Sequence, residues 1–267
     1  MTLIISKFRL FLTYACLEFI FLTDRSLQQV ETPMKQAVQD TLDRFKSEEV
    51  ASSYGYASGY DKPKSIIDQI TALSQLFPDI NFPDNKLVLG KIPEIAEGWF
   101  VIPRYEAIAP AYNEALAVVL DQLRLRYSDN FSDYREEPGV LRQTEKSANA
   151  WRRVGRKQRD CDTLLVPAQF GFQHRGQSMR RARQTFASNE FGLGVFMVGI
   201  MILTHPERIE QHDDLWIDCA GDEYSPSGDG VFSCAPIFRR YKNQLELDFR
   251  PITRAGGSYG TASAFVP

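Results

Sequence analysis

The sequence predicts an α+β fold, with a helix-rich N-terminal part followed by a mixed α/β part that ends in an antiparallel hairpin. Apolar residues recur at helical spacing in several segments, and short runs rich in β-branched and aromatic residues between them are typical of strands. Helices and strands follow one another without the regular βαβ alternation of a doubly wound sheet. This order favours the α+β class.

The first half of the chain contains three predicted helices and two predicted strands. The helices cover residues 34–50, the stretch between Pro63 and Pro78, and a segment that starts at Pro110. The third helix has an apolar face, which consists of Leu116, Val119, Leu120 and Leu123. The runs "NKLVLGK" and "GWFVIP" predict strands. The polar stretch "YSDNFSDYREEPG" is the best linker candidate and sets a candidate domain sub-boundary near residues 128–139.

The second half begins with a helix whose apolar stripe is formed by Leu141, Thr144, Ala148, Trp151 and Gly155. "TLLVPAQF" predicts a buried strand. A short helix follows, with Met179, Ala182 and Phe186 inward and Arg180, Arg181 and Arg183 outward. "LGVFMVGIMIL" predicts a buried helix, or alternatively a central strand. "DLWIDCA" predicts a strand, and "PIFRRYKNQLELDF" predicts a hairpin with its turn near residues 242–244.

Residues 1–33 are a hydrophobic extension that we expect to lie outside the fold, which leaves residues 34–267 as one globular domain. Thr32 and Pro33 are typical of a helix start, so translation beginning at Met34 is one interpretation of the extension. A signal segment or a membrane-surface anchor are the alternatives. The apolar runs are shorter than the ~20 residues that a spanning helix needs, so we expect no integral membrane span.

Charge is distributed unevenly along the chain. The net charge is −3, but residues 140–184 contain eleven Lys or Arg and three acids, which makes this segment +8 and the remainder −11. A basic segment in an acidic chain indicates a phosphate-rich ligand such as RNA or DNA. The candidate anion-binding residues are Arg152, Arg153, Arg156, Lys157, His174, Arg175, Arg180 and Arg181. The alternative is a solvated face that pairs with the acids of the same chain.

The stretch "VPAQFGFQHRGQSMRRAR" resembles a phosphate-binding loop in its glycine spacing. Gly171 and Gly176 are five residues apart and are followed by Gln177 and Ser178, where the nucleotide-binding pattern requires lysine before the hydroxyl. Because that lysine is missing, the spacing does not predict a nucleoside triphosphatase. It leaves the weaker hypothesis that an anion lies at the start of the helix that follows.

Acidic residues cluster around the "DLWIDCA" strand, and Asp218, Asp222 and Glu223 could together hold Mg²⁺ or Mn²⁺. With His174 on a phosphate they are the weak catalytic candidates for a metal-assisted phosphoester hydrolase. No motif has a recognised metal-ligand spacing, so solvated acids and no cofactor are the simpler interpretation. The four cysteines predict free thiols, with a Cys219–Cys234 disulfide as the alternative.

The runs "VPAQFGFQHRG", "RRAR", "NEFGLG", "LTHPER" and "IDCAGDEYSP" together resemble a family of bacterial proteins with no known activity. The resemblance covers residues 98–267. It implies a bacterial, cytoplasmic protein and assigns no catalytic residue.

Three hypotheses follow from the sequence. The first is binding of RNA, DNA or another phosphate-rich ligand through residues 140–184. The second is the phosphoester hydrolase. The third is a structural or protein-interaction module without catalytic activity, in which basic and acidic segments pair within the chain, across a homo-oligomer or with a protein partner.

Overall fold

The computed structural model describes residues 46–82, 90–159 and 161–267. The chain consists of two compact units, Met1–Ser47 and Glu48–Pro267. The α-helices and β-strands of the described residues all belong to the second unit. The extension at residues 1–33, Cys16, most of the helix predicted for residues 34–50 and most of the strand predicted in "NKLVLGK" lie outside the described residues. A 3-10 turn covers Lys46–Glu48.

The first part of the second unit contains α1 (Ile66–Leu76), β1 (Gly98–Pro103), α2 (Tyr105–Ile108) and α3 (Tyr112–Tyr127). Helix α1 begins where the Ser65 side chain accepts a hydrogen bond from the Asp68 backbone at 3.2 Å. The predicted apolar face of α3 is confirmed, since all four of its residues are fully buried.

Residues 128–139 are tied into a sheet. They contain a 3-10 turn, Ser128–Asn130, and strand β2 (Phe131–Asp133), which pairs in parallel with β9 (Gln244–Pro251). The predicted linker therefore contributes backbone hydrogen bonds to the same unit as the segments on either side of it.

The helix predicted after this stretch begins later than its apolar stripe indicated. Residues Val140–Gln143 form strand β3, and α4 covers Glu145–Lys157 with Thr144 as its N-cap. Leu141 is buried on the strand rather than on the helix. The buried face of α4 consists of Ser147, Ala150, Trp151, Val154 and Gly155. The stripe was wrong at its N-terminal end because alternate residues of a strand can also match helical spacing over a few positions.

The remaining elements contain the predicted helices and strands in the predicted order, together with four short strands that were not predicted. They are β4 (Thr163–Gln169), α5 (Met179–Thr185), β5 (Glu190–Gly192), α6 (Val195–Thr204), β6 (Trp216–Asp218), β7 (Asp222–Ser225), β8 (Cys234–Tyr241), β9, β10 (Tyr259–Thr261) and β11 (Ser263–Phe265). The buried strand, the short helix with its inward Met179, Ala182 and Phe186, and the strand in "DLWIDCA" are confirmed.

Two sheets organise these strands. The first has the order β1-β4-β11-β5, and all its pairs are antiparallel. The second has the order β10-β6-β8-β7-β3, with β9 beside β8 and β2 beside β9. Its parallel pairs are β10 with β6 and β2 with β9, and the others are antiparallel. The α+β prediction is confirmed.

The predicted hairpin is formed by β8 and β9, with Tyr241 paired to Gln244. The two turn residues, Lys242 and Asn243, have φ of 46° and 66°. Positive φ at both central positions is the geometry whose twist matches that of the flanking strands. Strands β10 and β11 follow the hairpin, so the chain returns to both sheets after it.

Helix α6 is the centre of the core, and all ten of its residues are buried. It packs against α3 and β1. A Cβ atom at Gly199 would lie 2.7 Å from Val119 Cγ1, so glycine allows the close approach of α6 to α3. The predicted core helix is confirmed. Among the described residues no helix combines the length and apolar character needed to cross a membrane.

The thiols of Cys219 and Cys234 are both free, Cys219 buried on the core side and Cys234 half-buried. The alternative of a disulfide between them is therefore wrong, and the free-thiol prediction holds for these two residues.

Replacement of Ile200 in α6 by alanine should destabilise the protein by about 2–5 kcal/mol, because a fully buried side chain leaves a cavity in a close-packed core. The matched control is Ile67→Ala in α1, where the side chain is 59% exposed and the expected cost is within about 0.5 kcal/mol. Urea denaturation of the two variants measures the difference. Equal losses would show that α6 is not the centre of the folding unit.

Candidate anion-binding site

The loop with nucleotide-loop glycine spacing is packed against other loops of the chain. Gly171 has φ of 126°, and a Cβ atom there would lie 2.5 Å from Gly260 O. Gly176 has φ of 79°, and a Cβ atom there would collide with Val50 O. Both glycines are thus required for backbone conformation and for close packing. These two requirements explain the spacing without a phosphate.

The backbone N–H groups of this loop already have acceptors. Gly171 N donates to Gln169 Oε1 at 2.5 Å, Gly176 N to Tyr259 O at 2.8 Å, and Ser178 N to Glu48 O at 2.8 Å. The Ser178 side chain caps α5 by accepting from Arg181 N at 3.0 Å. A phosphate-binding loop depends on N–H groups that are free to surround the anion. The geometry therefore does not support an anion here.

The cationic side chains around this loop have partners of their own. His174 Nε2 lies 2.7 Å from Glu190 Oε1, Arg180 pairs with Glu48, and Arg181 Nε lies 3.4 Å from Glu49 Oε2. The Arg175 guanidinium stacks 4.0 Å above the Phe172 ring. For His174, Arg180 and Arg181 the structure favours the alternative that cations pair with the acids of the chain.

Arg183 was predicted to face outward, and this is wrong. Its guanidinium donates to Ala220 O at 2.9 Å and to Asp222 O at 2.8 Å. Burial lowers the pKa of this guanidinium. The helix α5 is short, and its fourth and fifth residues lie close enough to β7 for a long side chain to reach back to the sheet.

The acidic candidates are also bound within the fold. Asp218 accepts from Arg250 Nε at 3.2 Å and from Arg250 Nη2, and burial raises the pKa of Asp218 to about 6. Asp222 accepts from Tyr112 Oη at 2.8 Å and Val195 N at 2.7 Å, and burial raises its pKa to about 7.

Glu223, the third acid, forms an ion pair with Arg142 at 2.6 Å. Within the described residues, no group of three or more His, Cys, Asp or Glu side chains could hold a metal ion. A guanidinium on both oxygens of Asp218 would repel a divalent cation. The structure thus does not gather these acids into the Mg²⁺ or Mn²⁺ site that the hydrolase hypothesis requires.

The exposed face of α4 differs from the loop in having cations without acidic partners. Arg152, Arg153, Arg156 and Lys157 are all exposed. Arg152 Nη2 lies 2.5 Å from Asn149 Oδ1, and Lys157 Nζ donates to Pro267 O. Across residues 46–82, 90–159 and 161–267, none of the three arginines forms an ion pair with an acid. This face is therefore open to an external anion.

A concavity of about 300 Å³ lies beside this face. Its lining residues are Arg104, Glu106, Trp151, Arg152, Gly155, Arg156 and Arg159, and we call it the arginine concavity. Four arginines and one glutamate give it a net charge of +3. Arg104 and Arg159 were absent from the sequence-based candidates, because Arg104 lies outside the basic segment and Arg159 follows the end of the helix.

Arg104 is held in place by the C-terminal end of α4. Its Nε donates to Cys161 O at 2.8 Å, and its Nη2 donates to Gly155 O at 2.8 Å and to Gln158 O. Gly155 O otherwise accepts only a long hydrogen bond from Gln158 N at 3.4 Å, so the guanidinium supplies stronger donors to the carbonyls at the helix end. Its positive charge is also stabilised by the negative end of the helix dipole. The third nitrogen, Nη1, makes no hydrogen bond within the described residues.

Gly155 makes room for this guanidinium. A Cβ atom at position 155 would lie 2.6 Å from Arg104 Nη1, well inside contact distance. The absence of a side chain on this helical residue therefore allows Arg104 to lie against α4 at the wall of the arginine concavity.

A second concavity, of about 590 Å³, is lined by residues of both charge signs. Its arginines, Arg124 and Arg135, both bind Asp133, at 3.0 Å and 2.7 Å. Because these cations share one carboxylate, this concavity is a weaker candidate for anion binding than the arginine concavity.

The sequence did not predict a polar cluster in which Tyr60, His205 and Arg208 are buried and Tyr56 and Glu97 are half-buried. Glu97 accepts from the hydroxyls of Tyr56 and Tyr60, the latter at 3.0 Å, and burial raises the pKa of Glu97. Arg208 is fully buried, with its guanidinium 3.8 Å from the Tyr56 ring and Nη2 donating to Leu215 O at 2.9 Å. In the sequence, the cluster is indicated only by two tyrosines in one loop. Their partners could not be identified, because they lie far away in the sequence.

His205 is the neutral member of this cluster. Its Nε2 accepts from Lys64 N at 2.9 Å, and Nδ1 lies 3.2 Å from Met201 O. Burial lowers the pKa of His205 to about 4. Protonation of Nε2 would break the bond to Lys64 N, so the ring has to remain neutral in the folded protein.

Comparison of the chain with protein-family models, curated protein sequences and solved structures found no match.

In the His205→Gln variant, the free energy of unfolding should fall less steeply with decreasing pH than in the unmodified protein. The folded pKa is about 4 and the unfolded value 6.5, so the neutral ring stabilises the fold fully above about pH 6.5. This contribution, on the order of 3 kcal/mol, is lost as the pH falls towards 4. Glutamine keeps an acceptor and does not titrate. Urea denaturation between pH 4.5 and 7 gives the slope of the free energy of unfolding against pH for both proteins. Equal slopes would contradict the conclusion that His205 is neutral in the folded protein.

Proposed function

We propose that the protein binds a phosphate-rich partner, RNA or DNA, through the exposed face of α4 and the arginine concavity. The observation that carries the proposal is the group of cations without acidic partners among the described residues, namely Arg152, Arg153 and Arg156 on α4 and Arg159 after it. Arginine presents a planar fork of donors that matches phosphate oxygens. Such a surface favours the nucleic-acid backbone without selecting a base sequence.

The net charge supports the same proposal. The chain as a whole is acidic at −3, and residues 140–184 carry +8. Within this segment His174, Arg180 and Arg181 are bound to Glu190, Glu48 and Glu49. Arg175 stacks on the Phe172 ring, and Arg183 donates to backbone carbonyls. The cations that are open to a ligand are therefore concentrated on α4, and His174, Arg175, Arg180 and Arg181 are not part of the proposed surface.

A bacterial, cytoplasmic setting is part of this proposal, on the strength of the resemblance over residues 98–267. Such a setting would bring the α4 face into contact with cellular RNA and DNA. The absorbance ratio at 260 and 280 nm of the purified protein, before and after a high-salt wash, tests for copurified nucleic acid. If both samples give the ratio of protein alone, no nucleic acid copurifies, and this result would count against the nucleic-acid-binding proposal.

The structural or interaction-module alternative has one observation in its favour. The ion pairs of Arg180 with Glu48 and of Arg142 with Glu223 show that much of the basic segment is neutralised by the chain itself. In that alternative, α4 would face a protein partner or a second copy of the chain, and nucleic acid would not bind.

Reversal of Arg152, Arg153 and Arg156 to glutamate should abolish binding of a labelled single-stranded oligonucleotide. Binding by the unmodified protein should weaken about 50- to 300-fold between 50 and 200 mM salt, as expected for about four to six phosphate contacts with a single strand. Fluorescence anisotropy measures both effects.

The control triple variant reverses Lys62, Arg126 and Arg254, which are exposed on other segments and give the same change in net charge. It should retain most of the affinity. If both triple variants lose binding equally, attraction is a general charge effect and the α4 face is not the site. An affinity that does not change with salt would exclude phosphate contacts altogether.

A further inference from the structure

We propose that the arginine concavity recognises a terminal phosphate monoester, as found at the phosphorylated 5′ end of an oligonucleotide. The inference rests on the proposed function, and it names the chemical group that the deepest part of the same surface selects. A monoester differs from the phosphates inside a nucleic-acid chain in charge, in the number of free oxygens and in steric access.

Charge is the first argument. The concavity combines Arg104, Arg152, Arg156 and Arg159 with a single acid, Glu106, for a net charge of +3. An internal phosphodiester carries one negative charge, whereas a phosphate monoester carries about −1.5 to −2 at neutral pH. A site with this excess of positive charge stabilises the monoester more than the diester.

The donors are the second argument. Arg104 uses Nε and Nη2 on helix carbonyls and leaves Nη1 without a hydrogen bond within the described residues. Arg159 donates through Nε to Arg156 O at 3.0 Å, and neither of its terminal nitrogens has a partner in the described part of the chain. Three terminal oxygens of a monoester can accept from several such guanidiniums at once, while a diester offers two.

The position of Arg104 is the third argument. The C-terminal end of a helix carries negative partial charge and would by itself repel a phosphate. Here Arg104 covers the carbonyls of Gly155 and Gln158 and so replaces this negative surface by a cation. Since these hydrogen bonds fix Arg104 before any ligand arrives, this side chain loses little freedom on binding.

The shape is the fourth argument. The concavity has a volume of about 300 Å³, which is at the lower limit of small-ligand sites, roughly 300–1,000 Å³. This size suits one phosphate with its attached sugar. A continuous polymer would instead lie along the exposed face of α4, beside the concavity, with its end placed among the four arginines.

The experiment compares three probes by fluorescence anisotropy or calorimetry with the full chain. They are a 5′-phosphorylated oligonucleotide, the same oligonucleotide with a 5′-hydroxyl, and a nucleoside 5′-monophosphate. We expect the 5′-phosphorylated oligonucleotide to bind at least about tenfold tighter than the hydroxyl form. This ratio should fall as the pH decreases through about 6, where the monoester gains its second proton.

Gly155→Ala is the sharpest variant, because its Cβ atom would occupy the place of Arg104 Nη1. It should bring the phosphate-to-hydroxyl ratio close to one. Arg156→Gln should reduce the ratio as well. The matched control is Arg153→Gln, on the same helix but outside the concavity, which should weaken both oligonucleotides equally and leave the ratio unchanged. Thermal unfolding of each variant confirms that it is folded.

The outcomes separate the two proposals. If both oligonucleotides bind equally and depend on salt, the terminal-phosphate inference is overturned and nucleic-acid binding stands. If only the nucleoside monophosphate binds, the concavity takes a free phosphate monoester and the nucleic-acid proposal is overturned. If none of the three probes binds, both are overturned.

Discussion

Asp222 is buried on β7 and binds residues of three helices, α3, α5 and α6. Its carboxylate makes two of these contacts. It accepts from Val195 N at the start of α6 and from the hydroxyl of Tyr112 at the start of α3. The backbone carbonyl of the same residue accepts from Arg183 of α5. One residue of β7 thus fixes three helices. Since α6 is the centre of the core, the position of both sheets around it depends on this contact.

The way in which α6 begins explains why an aspartate so far away is needed. The residue before the helix is Gly194, which has no side chain to cap the free N–H groups. A Cβ atom at this position would lie 2.5 Å from Asp222 Oδ1 and 2.6 Å from the Tyr112 hydroxyl. Glycine cannot cap the helix with a side chain of its own. Its small size instead leaves space for the Asp222 carboxylate from β7, which accepts from the helix N-terminus. The helix N-terminus and Arg183 in turn offset the negative charge of that carboxylate.

The elements that sequence reasoning predicted well are those whose signal is local. Helix α6 and strand β4 are uninterrupted apolar runs, and the β8–β9 turn has Lys242 and Asn243 at its centre. The glycine loop was misjudged for the opposite reason. Its partners are Val50, Tyr259 and Glu48, and no pattern within the loop can reveal acceptors that come from such distant segments.

The candidate site was predictable only in part, for a related reason. A count of charges located the basic segment and the exposed arginines of α4. Which cations are open to a ligand depends on the tertiary fold, since Glu48 and Glu49 neutralise α5 and no acid in the described part of the chain reaches Arg152 or Arg156. Arg104 could not be found from the charge pattern, because it joins α4 only through the carbonyls at the helix end.

Two partly bonded arginines, Arg208 and Arg104, show what decides whether a guanidinium can bind a ligand. Arg208 is fully buried, and its Nε and Nη1 have no hydrogen-bond partner among the described residues. Its charge is offset by the face of the Tyr56 ring and by Glu97 nearby. Arg104 is similarly held by carbonyls, but it lies at the wall of an open concavity. Access to solvent, rather than a missing hydrogen bond alone, distinguishes Arg104, which lines the arginine concavity, from Arg208, which is part of the core.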